Sequence, residues 1–338
     1  MISTYLRIHG RRPSEEYPNA GRNGGDVPAP DKRLFAIINP VSRKGRAHRV
    51  WPAVREILQD GGYRVDEAIS ERRMHAWELA AQAAAGGYDT IVSVGGDGTN
   101  HEVINGMLNA QVAVPPALGL IPAGTANDLA RCLKIPFDPQ AAARVLLDGA
   151  RHRVDVGKVN DRYYATISGV GFDAEVAQLV NRWPRFIGGT VLYIAGIVTM
   201  LATYRPVLSR ITIDGTTQET KMFLLAAANT NWYAGGMYMA PHARIDDGLL
   251  AVVWAEDLGK GETLALLPRL FSGGHLRHPK VSHTTAREVR VDSDTPLAIH
   301  ADGETVGHVP AYFRVLPQAL EVIVPAAGLP EAAPQSHP

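Results

Sequence analysis

The feature that most constrains this chain is an alternation of two periodicities through its first half. Short apolar runs at residues 34–38, 63–69, 90–94 and 118–121 each lead into a turn and then a helical pattern, over 46–58, 75–85, 102–108 and 127–133. A strand–loop–helix unit repeated four times predicts a parallel sheet joined by right-handed crossovers. In such sheets ligands bind beyond the carboxyl ends of the strands. The loops opening at Asn39, Gly95 and Pro122 fall on that edge and can converge on one ligand.

After about Val154 the texture changes. Residues 163–168, 209–213, 221–227, 249–254, 288–291 and 297–300 are short β-rich runs with turn signals such as Asp214-Gly215, and only 183–204 and 260–271 look helical. The expected class is α/β: an N-terminal Rossmann-like parallel α/β domain, then a mostly antiparallel β-sandwich. The last apolar stretch, 311–324, reads as a strand pair that either domain could claim. Residues 1–31 hold Pro13, Pro18, Pro28 and Pro30 with few large apolar groups, and 326–338 are similar, so both ends read as disordered.

Composition excludes several classes. Lys+Arg 34 balance Asp+Glu 34, which argues against a general nucleic-acid binder. The single Cys132 excludes an intramolecular disulfide and any multi-cysteine zinc or iron–sulfur site. The N-terminus shows no apolar signal-peptide core. Residues 186–204 are uncharged and close to the ~20 residues a spanning helix needs. Their glycines, threonines and tyrosines favour a buried or membrane-facing helix over a transmembrane one.

The strongest motif is Gly95-Gly96-Asp97-Gly98-Thr99-Asn100, set between a strand and a helix. Its glycines let backbone N–H groups approach an anion, and the following helix N-terminus favours negative charge. The plain alternative is a tight turn with an Asp/Thr cap. No GxxxxGK[ST] occurs. A second loop, residues 121–128, offers Gly124 and Thr125 to the same ligand. Asp302-Gly303-Glu304 has the form of a hairpin turn, and Asp-Gly occurs six times in the chain, so the dipeptide alone says nothing. Two patterns mislead: Gly169-x-Gly171-x-x-Ala174 lacks the acidic residue and βαβ unit of a dinucleotide site. His275, His278 and His283 stand among cations, which reads as a basic face rather than a zinc site.

INP at 38–40, VGGDGTNHEVINGM at 94–107, IPAGTANDLAR at 121–131 and VDVGKVN at 154–160 resemble the diacylglycerol kinase catalytic family, in particular its soluble bacterial lipid kinases, which are related to sphingosine kinases. SGVGFDAEV at 168–176, ARIDDGLL at 243–250 and ADGE at 301–304 extend the likeness over about residues 33–325. GGDGT alone also occurs in NAD kinases; the GTAND, DDGLL and DGE companions separate the two.

The resemblance implies an ATP-binding domain at 32–153, completed by 311–325, and a lipid-substrate domain at 154–310. It assigns nucleotide contacts to Asn39, Ser70, Gly95, Gly96, Asp97, Gly98, Thr99, Asn100, His101 and Thr125. Glu304 becomes the proton acceptor with Asp302 beside it, and Asp97 joins them in catalysis. A structural Mg²⁺ would take Asp247 and the carbonyls of Arg244 and Leu249; Asp97, Asp128 and Asp155 are candidates for the Mg²⁺ that accompanies ATP. The implied reaction moves the γ-phosphoryl of ATP to a hydroxyl of a diacylglycerol-like lipid, in an apolar groove lined by 183–204 and Trp232-Tyr233. The expected setting is cytoplasmic, in peripheral contact with a membrane surface; no nucleic acid is expected, and a homodimer is left open. The rivals are an NAD-kinase-like enzyme with a soluble acceptor and a non-catalytic lipid-binding protein of the same fold.

Overall fold

The computed structural model describes residues 32–183 and 189–328. The expected arm at 1–31, most of the expected tail and residues 184–188 of the expected helix lie outside the described residues. The first half runs β1 (Lys32–Ile38), α1 (Arg46–Asp60), β2 (Tyr63–Ile69), α2 (His75–Ala85), β3 (Thr90–Gly95), α3 (Asp97–Asn109), β4 (Ala117–Pro122), α4 (Asp128–Cys132) and α5 (Pro139–Asp148). The four strands pair in parallel in the order β2-β1-β3-β4. Strands β3 and β4 are buried along their whole length, as strands covered on both faces must be. Right-handed crossovers in this order put α1 on one face and α2 with α3 on the other; α1 packs on α5, and α2 on α3. The chain leaves β1 in one direction and β3 in the other, so a crevice opens at their carboxyl ends.

One boundary differs from expectation. Helix α3 starts at Asp97 rather than at 102, because the Thr99 and Asn100 amides both donate to Gly96 O and close the first turn. Burial of Thr99, Asn100 and His101 offsets the poor helix propensity of Gly98 and Asn100.

The second half runs β5 (Ala150–Val159), β6 (Arg162–Tyr164), β7 (Ile167–Gly171), α6 (Phe172–Asn181), α7 (Gly189–Thr203), β8 (Val207–Ile213), β9 (Thr216–Ala228), β10 (Trp232–Tyr233), β11 (Met237–Tyr238), β12 (Leu250–Glu256), α8 (Lys260–Leu266), β13 (Val281–Ala286), β14 (Glu288–Asp292), β15 (Ala298–Ala301), β16 (Glu304–His308) and β17 (Ala311–Val324). Apart from one parallel pair between β17 and β4, its ladders are antiparallel. Strand β9 bends between two layers: its first half pairs with β8, and its second half lies between β7 and β12. Tyr164, Met222, Leu225, Val252, Val289 and Phe313 fill the space between the layers. Helices α6 and α7 cover the other face of the β7–β9–β12 layer through Phe172, Val176 and Ile197, which cluster with Phe223 of β9.

Three expectations needed correction here. The strand at 163–168 is broken at 165–166, where both amides turn to the Asp302 carboxylate instead of a ladder. Helix α6 had no helical expectation. Segment 311–324 is one strand, not a pair: it bonds β14 and β5, and Val322 pairs with Leu118 of β4. Among the described residues, no helix is long and apolar enough to cross a membrane.

Candidate active site

The crevice at the ends of β1 and β3 is built by two loops in backbone contact. The Ala123 amide donates to Gly95 O at 2.7 Å. A Cβ on Gly96 would lie 2.8 Å from Gly124 Cα, and one on Gly124 would lie 2.3 Å from Gly96 Cα. A Cβ on Gly95 would strike the Thr99 side chain. These three glycines are therefore required by close packing, whatever binds above them. Gly98 differs, since the only atom near its open face is Glu304 Oε1, 3.4 Å from a built Cβ.

The other expected nucleotide residues fall into two groups. Thr125 is exposed on the second loop. Asn39, at the end of β1, donates from Nδ2 to Thr99 Oγ1 at 2.9 Å and so bridges the crevice. Ser70, Asn100 and His101 are buried and turned inward. The Ser70 hydroxyl faces Ile38 O at 3.4 Å, Asn100 Oδ1 accepts from the Ser93 hydroxyl at 2.7 Å, and His101 Nδ1 meets Asp302 Oδ2 at 3.0 Å. These three side chains support the crevice from behind.

Two acids sit at its mouth. Asp97 Oδ1 accepts from the Leu129 amide, and Asp128 Oδ2 accepts from Gly235 N–H at 3.0 Å. Asp128 Oδ1 is buried without a hydrogen-bond partner, with Arg131 Nε 3.9 Å away. Burial, and then the neighbouring Asp128, push the Asp97 carboxyl up to about 7. Burial likewise raises Asp128. Asp155 does not join them: its oxygens accept from the Gly248 and Gln318 amides at 2.6 and 2.8 Å. It belongs with the Asp247 loop instead.

Asp302 and Gly303 form a two-residue hairpin between β15 and β16, both with positive φ, 51° and 82°, as a type I′ turn requires. Asp302 is buried and its carboxylate is saturated. Oδ1 accepts from the Thr166 amide and hydroxyl at 2.8 and 2.6 Å; Oδ2 accepts from the Ala165 amide at 3.1 Å and meets His101. Burial alone would raise this carboxyl, but the His101 and Thr166 hydrogen bonds outweigh it and hold it below its ordinary value. A group so engaged is placed to hold the hairpin rather than to accept a proton. Glu304, the first residue of β16, keeps its side chain 23% exposed and turned to the start of α3.

Sequence reasoning missed the residues around Glu304. Arg73 Nη2 lies 2.7 Å from Glu304 Oε2. The Arg73 loop follows β2 on the same sheet edge as the other three, and that was the available signal. Glu102 fixes this loop by accepting from the Met74 and Ala76 amides at the start of α2. Arg162 stacks on Trp77 with its guanidinium 4.7 Å from the ring, lowered by burial and then by Arg73. On the far side of the hairpin, Gly303 N–H donates to His300 Nδ1, which leaves the ring proton on Nε2 to donate to Asp173 Oδ2 at 3.0 Å. Sequence spacing gave no hint of this buried pair.

The expected metal loop is present as a turn: Asp247 Oδ1 accepts from the Leu249 amide at 3.0 Å, and the Arg244 guanidinium faces Asp246. Burial raises the Asp247 carboxyl. Beneath α7 lies an apolar cavity with about 60 Å³ open to a water's centre, lined by Phe172, Tyr193, Ile197, Phe223, Tyr233 and Leu266, with Asp173 at its wall. Of the expected lining, Trp232 instead stacks on Tyr238 at 4.2 Å. Of the three histidines read as part of a basic face, His275 does not belong to it: it is buried with Nε2 3.0 Å from Met239 O, whereas Arg277 is exposed. Gly169 is a packing glycine whose Cβ would strike the Asp173 carboxylate.

Comparison with known proteins agrees over both halves. Residues 33–159 match the diacylglycerol kinase catalytic domain, and 166–324 match the YegS C-terminal NAD kinase beta sandwich-like domain. The chain is 33% identical to the diacylglycerol kinase of Staphylococcus saprophyticus over 87% of its length and 96% of that protein. It is also 33% identical to that of Staphylococcus aureus strain MRSA252, over 87% and 93%. A crystal structure of a diacylglycerol kinase from Bacillus anthracis is 20% identical, with TM-score 0.69 over 89% of this chain and 100% of that one; this shows the shared fold. Two contiguous domain matches and full-length relatives leave one conclusion: the chain belongs to the diacylglycerol kinase family and is a lipid kinase.

Proposed function

We propose that the protein transfers the γ-phosphoryl group of ATP to the hydroxyl of a diacylglycerol-like lipid, with Glu304 as proton acceptor. The observation that carries this reading is the approach of Glu304 Oε1 to Gly98, the one glycine of the motif with an open face. It brings a carboxylate from the β-rich half onto the helix start that suits phosphate. The Asp97 and Gly98 amides at the start of α3, with Thr125, would hold phosphate oxygens, while Arg73 holds Glu304 toward the crevice. Asp97 and Asp128 would hold Mg²⁺, and the unpartnered Asp128 Oδ1 fits that role. When bound, the ion neutralises phosphate charge. Asp247, with the carbonyls of Arg244 and Leu249, would hold a structural Mg²⁺; its raised carboxyl suits a neighbouring cation. Catalysis then rests on aligning the two oxygens and removing the hydroxyl proton.

The cavity under α7 supports a lipid acceptor, because its lining is apolar and Asp173 at its wall connects through His300 to the Glu304 hairpin. The lipid must come from a membrane surface and ATP from the cytoplasm, which gives the expected location. Labelled ATP offered to a lipid panel and to NAD tests the reading: label in diacylglycerol or a similar lipid alcohol is expected. Label in NAD with none in any lipid would overturn it.

A further inference from the structure

We infer that Asp173, His300 and Asn181 are positioning residues that fix Glu304 relative to an acceptor seated in the apolar cavity; this rests on the reading of Glu304 as proton acceptor. Glu304 follows the Asp302-Gly303 turn directly, so its backbone goes where that turn goes. The turn is anchored in two directions. Asp302 ties it to α3 through His101, and to the break at 165–166 through Thr166. Gly303 ties it to α6 through its own N–H and carbonyl. The N–H donates to His300 Nδ1 at 3.3 Å, and the carbonyl, in the peptide that joins Gly303 to Glu304, accepts from Asn181 Nδ2 at 2.9 Å. Asp173, in the first turn of α6, backs the first of these bonds by accepting from His300 Nε2 at 3.0 Å. One anchor therefore faces the crevice and the other faces the cavity.

The second anchor is more than packing. Asp173 and His300 are each 2% exposed, and a buried polar pair holds a core no better than apolar side chains of the same volume. The strand beneath leaves room for it: a Cβ on Gly169 would lie 2.2 Å from Asp173 Oδ2 and 3.0 Å from His300 Nε2. At its outer end the pair meets the Gly303 N–H, which has no ladder partner in a two-residue hairpin turn. At its inner end Asp173 stands in the cavity wall beside Phe172 and Val176 of the same helix, and the Tyr193 hydroxyl donates to Asp173 O at 3.4 Å. The wall that an acyl chain would touch and the turn that carries Glu304 are thus one hydrogen-bonded unit. A general base works only within hydrogen-bond reach of its proton, and a displacement of about 1 Å can cost about 100-fold.

The two ring nitrogens of His300 can be replaced separately. His300→Asn places a carbonyl oxygen near the position of Nδ1 and can still accept from Gly303. His300→Gln places its amide near the position of Nε2, so it can pair with Asp173 but leaves the Gly303 N–H without an acceptor. In His300→Gln, kcat at saturating ATP and lipid should fall about 10–100-fold while the ATP dissociation constant is retained. Amide exchange across residues 301–305 should quicken about tenfold. His300→Asn should recover kcat to within a few-fold of wild type and keep the slower exchange. Asn181 is only partly buried, so Asn181→Asp tests the same turn without opening the core; it sets an acceptor against Gly303 O and should lower kcat several-fold. In a Glu304→Gln background His300→Gln should add little, because the group it misplaces is already gone. Two His300 variants that lose melting temperature alike, with kcat unchanged in both, would overturn the proposal. So would wild-type kcat in Asn181→Asp. Wild-type turnover in Glu304→Gln, with exchange still quickened by His300→Gln, would uphold the hold on the turn and sink only the reading of Glu304 as base.

Discussion

The start of α3 and the β15–β16 hairpin each bury carboxylates, and their surroundings are opposite. Asp302 has four hydrogen-bonding contacts on two oxygens and lies below its ordinary value. Asp97 is pushed up to about 7 by burial and by Asp128, whose Oδ1 has no partner. The first arrangement is complete without a ligand. The second is costly as it stands and becomes favourable only with positive charge or a proton nearby. The difference separates a residue that holds the site together from residues that wait for something to bind.

The largest effect that would sharpen this contrast lies between the two regions, at Glu304. Glu304→Gln keeps size and reach but cannot accept a proton at neutral pH. Turnover at saturating ATP and lipid should fall ~10²–10⁴-fold with ATP affinity and melting temperature retained. A loss of only a few-fold would remove the base from the mechanism.

Asp302→Ala comes next, and its readout is stability. It strands the Thr166, Ala165 and His101 donors in a buried place, at a cost of about 3 kcal/mol. Denaturant unfolding should report that loss. A melting curve like that of wild type would mean the hairpin does not depend on its saturated carboxylate.

The two regions should also differ in their response to pH. Asp302 is lowered from 3.8 when folded, so its stabilisation is full above about pH 4 and lost only as pH falls through the lower folded value. Asp97 is raised from 3.8 to about 7. The native state then holds an extra proton between those values, and stability falls as pH rises through that window. Melting without added metal should decline from pH 5 to 8, and Asp97→Asn or added Mg²⁺ should flatten the slope. A slope indifferent to both would place the titration elsewhere.

The smallest effect is expected at the outlying loop. If Asp247 anchors a structural Mg²⁺, Asp247→Ala should lower the melting temperature by a few degrees and blunt the stabilisation by added Mg²⁺. An unchanged Mg²⁺ response would remove that site.

Legibility followed the range of the interactions. The parallel sheet, its edge loops and the Gly95–Thr99 motif were readable because strand, turn and helix signals lie within a few residues of each other. Helix α6 was not, since its Gly-x-Gly start resembles a loop and its register is set by burial of Phe172 and Val176 under the sheet. The break at 165–166 was hidden for the same reason, because the competing acceptor lies more than 130 residues away.

What the sequence determined by itself was the alternation that builds the crevice, the motifs on its edge and the exclusion of an intramolecular disulfide or a multi-cysteine metal site, all of which depend on local spacing and composition. Only the tertiary structure decided what each motif residue does. It turned Gly96 and Gly124 into packing partners, left Gly98 open, saturated Asp302, left Asp128 Oδ1 unpaired and brought Arg73 to Glu304 across 231 positions. Burial and hydrogen-bond satisfaction are properties of the assembled chain. Two carboxylates of the same chemistry can therefore differ in role only after folding has given one its partners and withheld them from the other.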